Sequence, residues 1–298
     1  MPFLTIYIPS YNRGKLLLKQ LEVITSNLKF EDVRIIVSDN CSDDSLYLNV
    51  KTFCESKSNF IYEKNDFNDT GNPNIFKGFL KSFETEYLWI LSDNDLLLNG
   101  SVDRIIGLLK KNQIDLFLMT HDSYSEFEII EYTQENLFIN QILKSNGLGL
   151  ISNVIYKTEF VKSNIYIGYD FIFTWFPHLA VIIKSFFNKT GKIGLINKKH
   201  FFEDEKLGLV VNDKFYYSRS YFGFVLLAEL FETKLKIKFL KNFSSFWNLR
   251  HWMFFKKAPN KFFNETLAYG YLSRNIPLFK FKIFVWKLIY LFNPKRTK

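Results

Sequence analysis

Asp93-Asn94-Asp95 follows directly on the apolar run Tyr87-Leu88-Trp89-Ile90-Leu91. Two carboxylates two residues apart at a strand end can turn oxygens toward one hard cation, Mg2+ or Mn2+, which also binds diphosphate. A metal held there would act as a Lewis acid and offset the charge on a departing diphosphate. Asp and Asn are also favoured turn residues, so the triplet taken alone reads as a turn just as well. Asp39 ends a second apolar run, Arg34-Ile35-Ile36-Val37, and opens the polar stretch Ser38–Asp44. A carboxylate there can accept hydrogen bonds from a nucleobase or ribose; the bland alternative is an ordinary helix-capping loop.

The first 120 or so residues alternate strand and helix signals. Strand-like runs fall at Phe3–Ile8, Val33–Val37, Phe60–Tyr62, Tyr87–Leu91 and Ile114–Met119. Helical spacing falls between them. Arg13–Leu28 places Leu17, Leu21, Ile24 and Leu28 on one face. Asp43, Asp44 and Ser45 offer caps for a helix reaching about Ser56. Pro73–Phe83 has its proline near the first turn, and Ser101 offers a cap for a helix to about Lys111. Repeated β-α-β units imply an α/β fold, a mainly parallel sheet with helices on both faces. Ligands of such sheets bind beyond the carboxyl ends of the strands. That is where Pro9–Arg13, Ser38–Asp44, Asn65–Asn74 and Ser92–Asp95 lie. Further on, Glu126–Ile130 suggests a strand and Thr133–Lys144 a helix. Leu148–Tyr156 reads as a buried strand, Phe171–Phe187 as an apolar helix containing Pro177 and His178, and Gly194–Asn197 as a short strand.

Taken together, Ile8-Pro9-Ser10-Tyr11-Asn12-Arg13, Ile36–Asp43 and Trp89–Asp95 resemble family 2 glycosyltransferases of the GT-A fold in order and spacing. Asn65, Gly71 and Asn74 are similar to that family's polar segment before the third helix. The resemblance is specific over roughly 1–110 and fades after about 200. It implies a GT-A domain over 1–205, with a nucleotide half at 1–118 and an acceptor half at 119–205, followed by a helical extension at 206–298. It implies that Pro9, Tyr11 and Arg13 line the nucleotide pocket and that Asp39 holds the base. Asn74, Asp93 and Asn94 would bind the nucleotide sugar, with Asp93 near ribose or sugar. Asp95 would be the main ligand of Mn2+ or Mg2+, and His200 a second one near the diphosphate. Inverting transfer needs a general base for the acceptor hydroxyl. The family often carries a Glu-Asp pair for this, and none stands between Asp170 and His178, so those two residues are the candidates. Glu203-Asp204 is a literal pair but falls after the next strand. A lone histidine on an apolar helix is more often a buried structural residue, and His200 has a surface reading in its basic loop.

The chain carries +9 over 298 residues, unevenly: from Lys234 onward fifteen Lys and Arg stand against Glu265 alone, a balance of +14 that leaves −5 for the rest. Aromatics interleave with these cations, as in Phe279-Lys280-Phe281-Lys282-Ile283-Phe284-Val285-Trp286-Lys287. Such a segment can lie in a lipid interface with lysines near anionic headgroups. Packing of those aromatics onto the body is the plainer alternative. An anionic membrane surface and a glycan or lipid-linked glycan acceptor (lipopolysaccharide, lipooligosaccharide or capsule) are the expected partners, beside a nucleotide-diphosphate sugar donor. No nucleic-acid motif accompanies the basic run, so nucleic acid is not expected.

Two cysteines, Cys41 and Cys54, make no disulfide framework. With no leader-like start and no apolar stretch of spanning length, the expected place is the cytoplasm, peripheral on the inner membrane face. Neither a Gly-x-Gly-x-x-Gly nor a Walker A sequence occurs, which disfavours dinucleotide dehydrogenases and P-loop ATPases. A membrane- or nucleic-acid-associated module with an inactive transferase fold, and a nucleotidyltransferase, stand as the rival classes.

Overall fold

The computed structural model describes residues 2–26, 32–81, 84–120, 126–133, 148–187, 189–203, 223–246 and 274–276. Eight strands form one sheet in the order β3-β2-β1-β4-β7-β5-β8-β6. They are β1 (Leu4–Ser10), β2 (Val33–Asp39), β3 (Phe60–Lys64), β4 (Tyr87–Ile90), β5 (Leu116–Thr120), β6 (Glu128–Tyr132), β7 (Val154–Lys157) and β8 (Gly191–Asn197). β1 pairs in parallel with both β2 and β4, β2 with β3, and β5 with β8. β7 runs antiparallel between β4 and β5, and β6 antiparallel along β8. The carboxyl ends of the other six strands therefore share one edge. The residues entering β7 reach that same edge because β7 runs the other way.

Strand alternation divides the core into two layers. Leu4, Ile6 and Ile8 of β1 face one side with Trp89 and Leu91. Tyr7, Leu88 and Ile90 face the other. The first layer is covered by α1 (Gly14–Thr25), α2 (Tyr47–Glu55) and α4 (Ser101–Asn112), through Leu17, Leu21, Val50 and Ile105. The second is covered by α3 (Gly71–Leu80) and by the helices after β7: α5 (Thr158–Val161), α6 (Tyr166–Asp170) and α7 (Pro177–Ser185). Leu179 through Ile183 of α7 are all 0% exposed. Each large side chain in that run contributes roughly 1.5–3 kcal/mol by leaving water. α8 (Thr233–Phe246) adds Phe239 and Leu240 to this second layer.

The expected α/β sheet with helices on both faces is the observed one. Several boundaries differ. The apolar run at 171–187 is not one helix: Phe171–Phe176 form turns and α7 begins at Pro177. Proline suits a helix's first position but pushes its predecessor out of helical backbone. The strand expected over Leu148–Tyr156 starts only at Val154, after a 3-10 turn at Ile151–Asn153. Ser101 does not cap α4. Gly100 fills that place in left-handed backbone (φ 73°), and the Ser101 hydroxyl donates to the Phe201 carbonyl at 2.9 Å. Leu28, the 134–144 part of the expected helix, the literal pair's Asp204 and the basic run after 246, except 274–276, lie outside the described residues.

Candidate active site

The loops after β1, β2 and β4 are tied to one another at the shared strand edge. Ser10 is the centre. Its carbonyl accepts from the Asn40 amide (2.9 Å), and its hydroxyl donates to Asp93 Oδ2 (2.6 Å) while meeting the Tyr47 hydroxyl (2.5 Å). Asn12, in left-handed backbone at φ 52°, accepts at Oδ1 from the Asp43 amide (2.9 Å) and donates its own amide to Ser42 Oγ (3.0 Å). Asp44 Oδ2 accepts from the Gly14 amide at 2.9 Å, which joins the start of α1 to the same loop. A side chain at Gly14 would place Cβ 2.6 Å from Leu46 Cβ, so this approach needs glycine.

Asp93 is 2% exposed and fully engaged. Arg13 Nη1 pairs with Oδ1 at 2.7 Å, and Ser10 holds Oδ2. Burial pushes its carboxyl above the ordinary carboxylate range, against the opposing pull of Arg13 and Ser10, with Asp95 adding to the rise. The Arg13 side chain remains 40% open to solvent beside Tyr11, which is exposed. Pro9 sits opposite Ser38 in the β1–β2 ladder.

Asp39 is buried on the far side of Ser10. Oδ1 accepts from the Ser42 amide (2.8 Å), Oδ2 from the Tyr62 hydroxyl (2.6 Å), and Lys64 Nζ stands 3.9 Å away. Both oxygens thus organise the loop after β2. Asn74, also buried, does the same for α3. It accepts from Ser38 Oγ (2.6 Å) and Asn65 Nδ2 (3.2 Å) and donates to the Ser38 carbonyl (3.2 Å). Tyr7 donates to the Asn74 carbonyl at 2.9 Å. The Tyr7 hydroxyl's proton is held tightly, because burial pushes its pKa upward.

In the acidic triplet, Asn94 accepts from the Ser92 hydroxyl. Asp95 is half-buried; its Oδ2 accepts from Ser152 Oγ at 2.5 Å and its carbonyl from Gln20 Nε2 at 2.9 Å. The stretch after β8 folds back beside the triplet: the Leu98 amide donates to the Phe201 carbonyl (2.8 Å) and the Glu203 amide to the Leu96 carbonyl (2.9 Å). His200 lies at the end of the Lys198–His200 turn, with its Nε2 buried and without a partner. With Asp93 taken by Arg13 and Ser10, the half-buried Asp95 carboxylate is the group of the triplet whose oxygen chemistry suits Mg2+ or Mn2+. Such ions take one or two protein groups and complete their shell with phosphate and water. Among the described residues no three His, Cys, Asp or Glu side chains form a metal cage. His200 does not join Asp95: the antiparallel bridge of Leu97 with Phe202 carries it beyond Leu98, where its carbonyl accepts from Arg104 (2.8 Å).

The helices after β7 are assembled differently. Asn72, at the start of α3, donates to the Thr174 and Ile172 carbonyls, and the Tyr169 ring meets Phe76 edge-on at 4.9 Å. Asp170, the last residue of α6, is exposed. His178 is 2% exposed on α7, donates to the carbonyls of Gly149 and Leu148, and has an Nε2 without a partner. Burial lowers its pKa to about 4, so its ring is neutral near pH 7. No hydrogen bond or ion pair among the described residues joins Asp170 or His178 to the Asp93 network. The sequence reading missed Gln20, Tyr47, Tyr62 and Ser152. Only Gln20 carried a signal: an amide beside Leu17, Leu21 and Ile24 on an otherwise apolar helix face.

The chain is similar to known proteins in sequence and fold. Residues 33% identical over 120 positions occur in the GalNAc(5)-diNAcBac-PP-undecaprenol beta-1,3-glucosyltransferase of Campylobacter jejuni, covering 39% of this chain and 38% of that relative's length. S. aureus TarS 1–349 in complex with UDP superposes with a TM-score of 0.67 at 16% identity, covering 92% of this chain and 81% of that one. The same protein with UDP-GlcNAc gives 0.64 at 17%, over 92% and 82%. At such identities the likeness speaks for the fold. The profile described as "Glycosyl transferase family 2" matches residues 5–193, from within β1 to the start of β8, and by that match the chain belongs to this family of glycosyltransferases.

Proposed function

We propose that the chain transfers a sugar, with inversion, from a uridine diphosphate sugar to a hydroxyl of a lipid-linked glycan, with Mn2+ or Mg2+ held by Asp95. The observation that carries this reading is the division of labour inside the acidic triplet. Asp93 is saturated by Arg13 and Ser10, whereas only Ser152 bonds the Asp95 carboxylate among the described residues. Asp93 thus positions Arg13, whose open part faces the place of the diphosphate. Asp95 holds the cation. When bound, the metal neutralises charge that builds on the leaving diphosphate. The Asp39 loop, fixed by Ser42 and Tyr62, presents the floor for the base and ribose. The uridine assignment follows the UDP-bound structures of similar fold, and the acceptor class follows the printed activity of the C. jejuni relative.

Asp170 serves this mechanism better than His178 as the base. A base must reach the acceptor hydroxyl directly or through one water. Asp170 is open to solvent beside the segment that Asn72 anchors, whereas His178 is enclosed in the core. Membrane association is supported by α8, where Lys234, Lys238 and Lys241 are exposed at spacings of four and three while Phe239 and Leu240 are buried. Each surface cation contributes about 1 kcal/mol toward an anionic leaflet. No helix among the described residues is long and apolar enough to cross a membrane.

The test is a binding panel of UDP, GDP, CDP and dTDP sugars with and without Mn2+, followed by the anomeric configuration of the product. Uridine-selective, Mn2+-enhanced binding and an inverted product are expected. Equal binding of all four nucleotides, or a retained anomer, contradicts the reading. Diphosphate release from a nucleoside triphosphate would indicate a nucleotidyltransferase instead.

A further inference from the structure

Asp95 is held from two directions by buried groups outside the acidic triplet. Beneath it lies Gln20 of α1, which is 0% exposed. Its Nε2 donates to the Asp95 carbonyl (2.9 Å), and its Oε1 accepts from the Leu97 amide (3.2 Å). A buried amide side chain is costly unless both its ends are bonded. Here both ends grip the turn that carries Asp95.

Beside the triplet lies Ser152, 1% exposed, in the 3-10 turn that leads into β7. Its hydroxyl donates to Asp95 Oδ2 (2.5 Å) and accepts from the Ser92 amide (2.9 Å), so one oxygen spans the Ser92–Asp95 turn. The Ser152 carbonyl is itself fixed by the Trp89 indole at 2.8 Å. A residue needed only to close the turn would have no reason to bond the carboxylate. Ser152 bonds one carboxylate oxygen and so sets the rotation of the group, directing the other oxygen.

We propose that Ser152 and Gln20 are positioning residues that hold the Asp95 carboxylate in the orientation that accepts a divalent cation bound to nucleotide diphosphate. This rests on the assignment of the cation to Asp95 made above. Residues that orient a metal ligand from behind typically alter metal affinity by about 10- to 100-fold when removed. Ser152 has the larger effect because it touches the carboxylate itself. Gln20 acts on the backbone that carries it.

Mn2+ binding is measured by electron paramagnetic resonance on the full chain with UDP present, for wild type, Ser152→Ala, Ser152→Thr, Gln20→Met and Asp95→Ala. UDP affinity without metal and urea stability are measured on the same proteins. Ser152→Ala is expected to weaken Mn2+ binding about 10-fold or more while leaving metal-free UDP affinity unchanged. Ser152→Thr, which keeps the hydroxyl, recovers part of the loss, and Gln20→Met shows a smaller loss in the same direction. Mn2+ affinity in Ser152→Ala equal to wild type overturns the proposal. So does a loss no larger than its loss of metal-free UDP affinity, which would mark a purely structural role. Absence of bound Mn2+ in wild type as well as Asp95→Ala would overturn the cation assignment itself, and this proposal with it. That pattern differs from a Ser152 effect of zero in a wild type that does bind.

Discussion

The loops at the sheet edge and the helices after β7 are built to different standards. On the β3-β2-β1-β4 side, Ser10, Asn12, Asp39, Asn74 and Asp93 are joined in a continuous hydrogen-bonded network before any ligand arrives. Among the helices after β7, the candidate base Asp170 stands exposed at the end of α6, whose Tyr169 packs on Phe76 of α3, and His178 is sealed into apolar packing. The contrast teaches how a transferase divides its task. The nucleotide diphosphate is a demanding, constant ligand, and a preorganised polar site binds it without reorganisation during the reaction. The acceptor side needs one open group and a surface.

Exchanging the roles of the two regions is the sharpest way to break this comparison. Asp170→Asn should lower turnover by about 10²- to 10⁴-fold with UDP affinity unchanged, because it removes proton transfer and leaves the sheet-edge loops intact. Steady-state kinetics at matched donor saturation check this, and near-normal turnover would return the base to His178 or elsewhere.

Arg13→Ala probes the other region and should harm binding and folding together. It leaves the buried Asp93 carboxylate without its cation. Breaking a buried pair costs about 3–5 kcal/mol, and the solvent exposure of Arg13 reduces that to about 2. Urea unfolding gives the value. Adding Asp93→Asn should restore part of the stability but none of the UDP affinity.

His178 gives the smallest effect on turnover and a distinct one on stability. Its folded pKa of about 4 lies below the ordinary histidine value. The stability that depends on its neutral ring is therefore fully present above about pH 6.5 and lost as pH falls through about 4. His178→Gln should flatten that acid limb, worth at most about 3 kcal/mol, while turnover stays within a few-fold. Melting temperatures between pH 4 and pH 7 measure it. An unchanged acid limb would remove the buried neutral ring from the account.

The first four strands and the loops beyond them were legible in the sequence for a physical reason. Short β-branched apolar runs ending in Asn, Asp and Ser announce parallel strands and the loops beyond them. Direction and register are not written locally. That β7 runs antiparallel, and so delivers Ser152 to Asp95, follows only from the assembled sheet. Pro177 likewise split one apolar run into turns and a helix, and moved His178 from the middle of an expected helix to its first turn.

The most direct test of the central claim compares wild type with Asp95→Ala for Mn2+-dependent UDP affinity and turnover. A cation held there would stabilise the departing diphosphate by several kcal/mol, so the variant should lose turnover by about 10³-fold and lose the Mn2+ enhancement of UDP binding. Metal-free UDP affinity should remain. Wild-type turnover and Mn2+ response in Asp95→Ala would contradict the account.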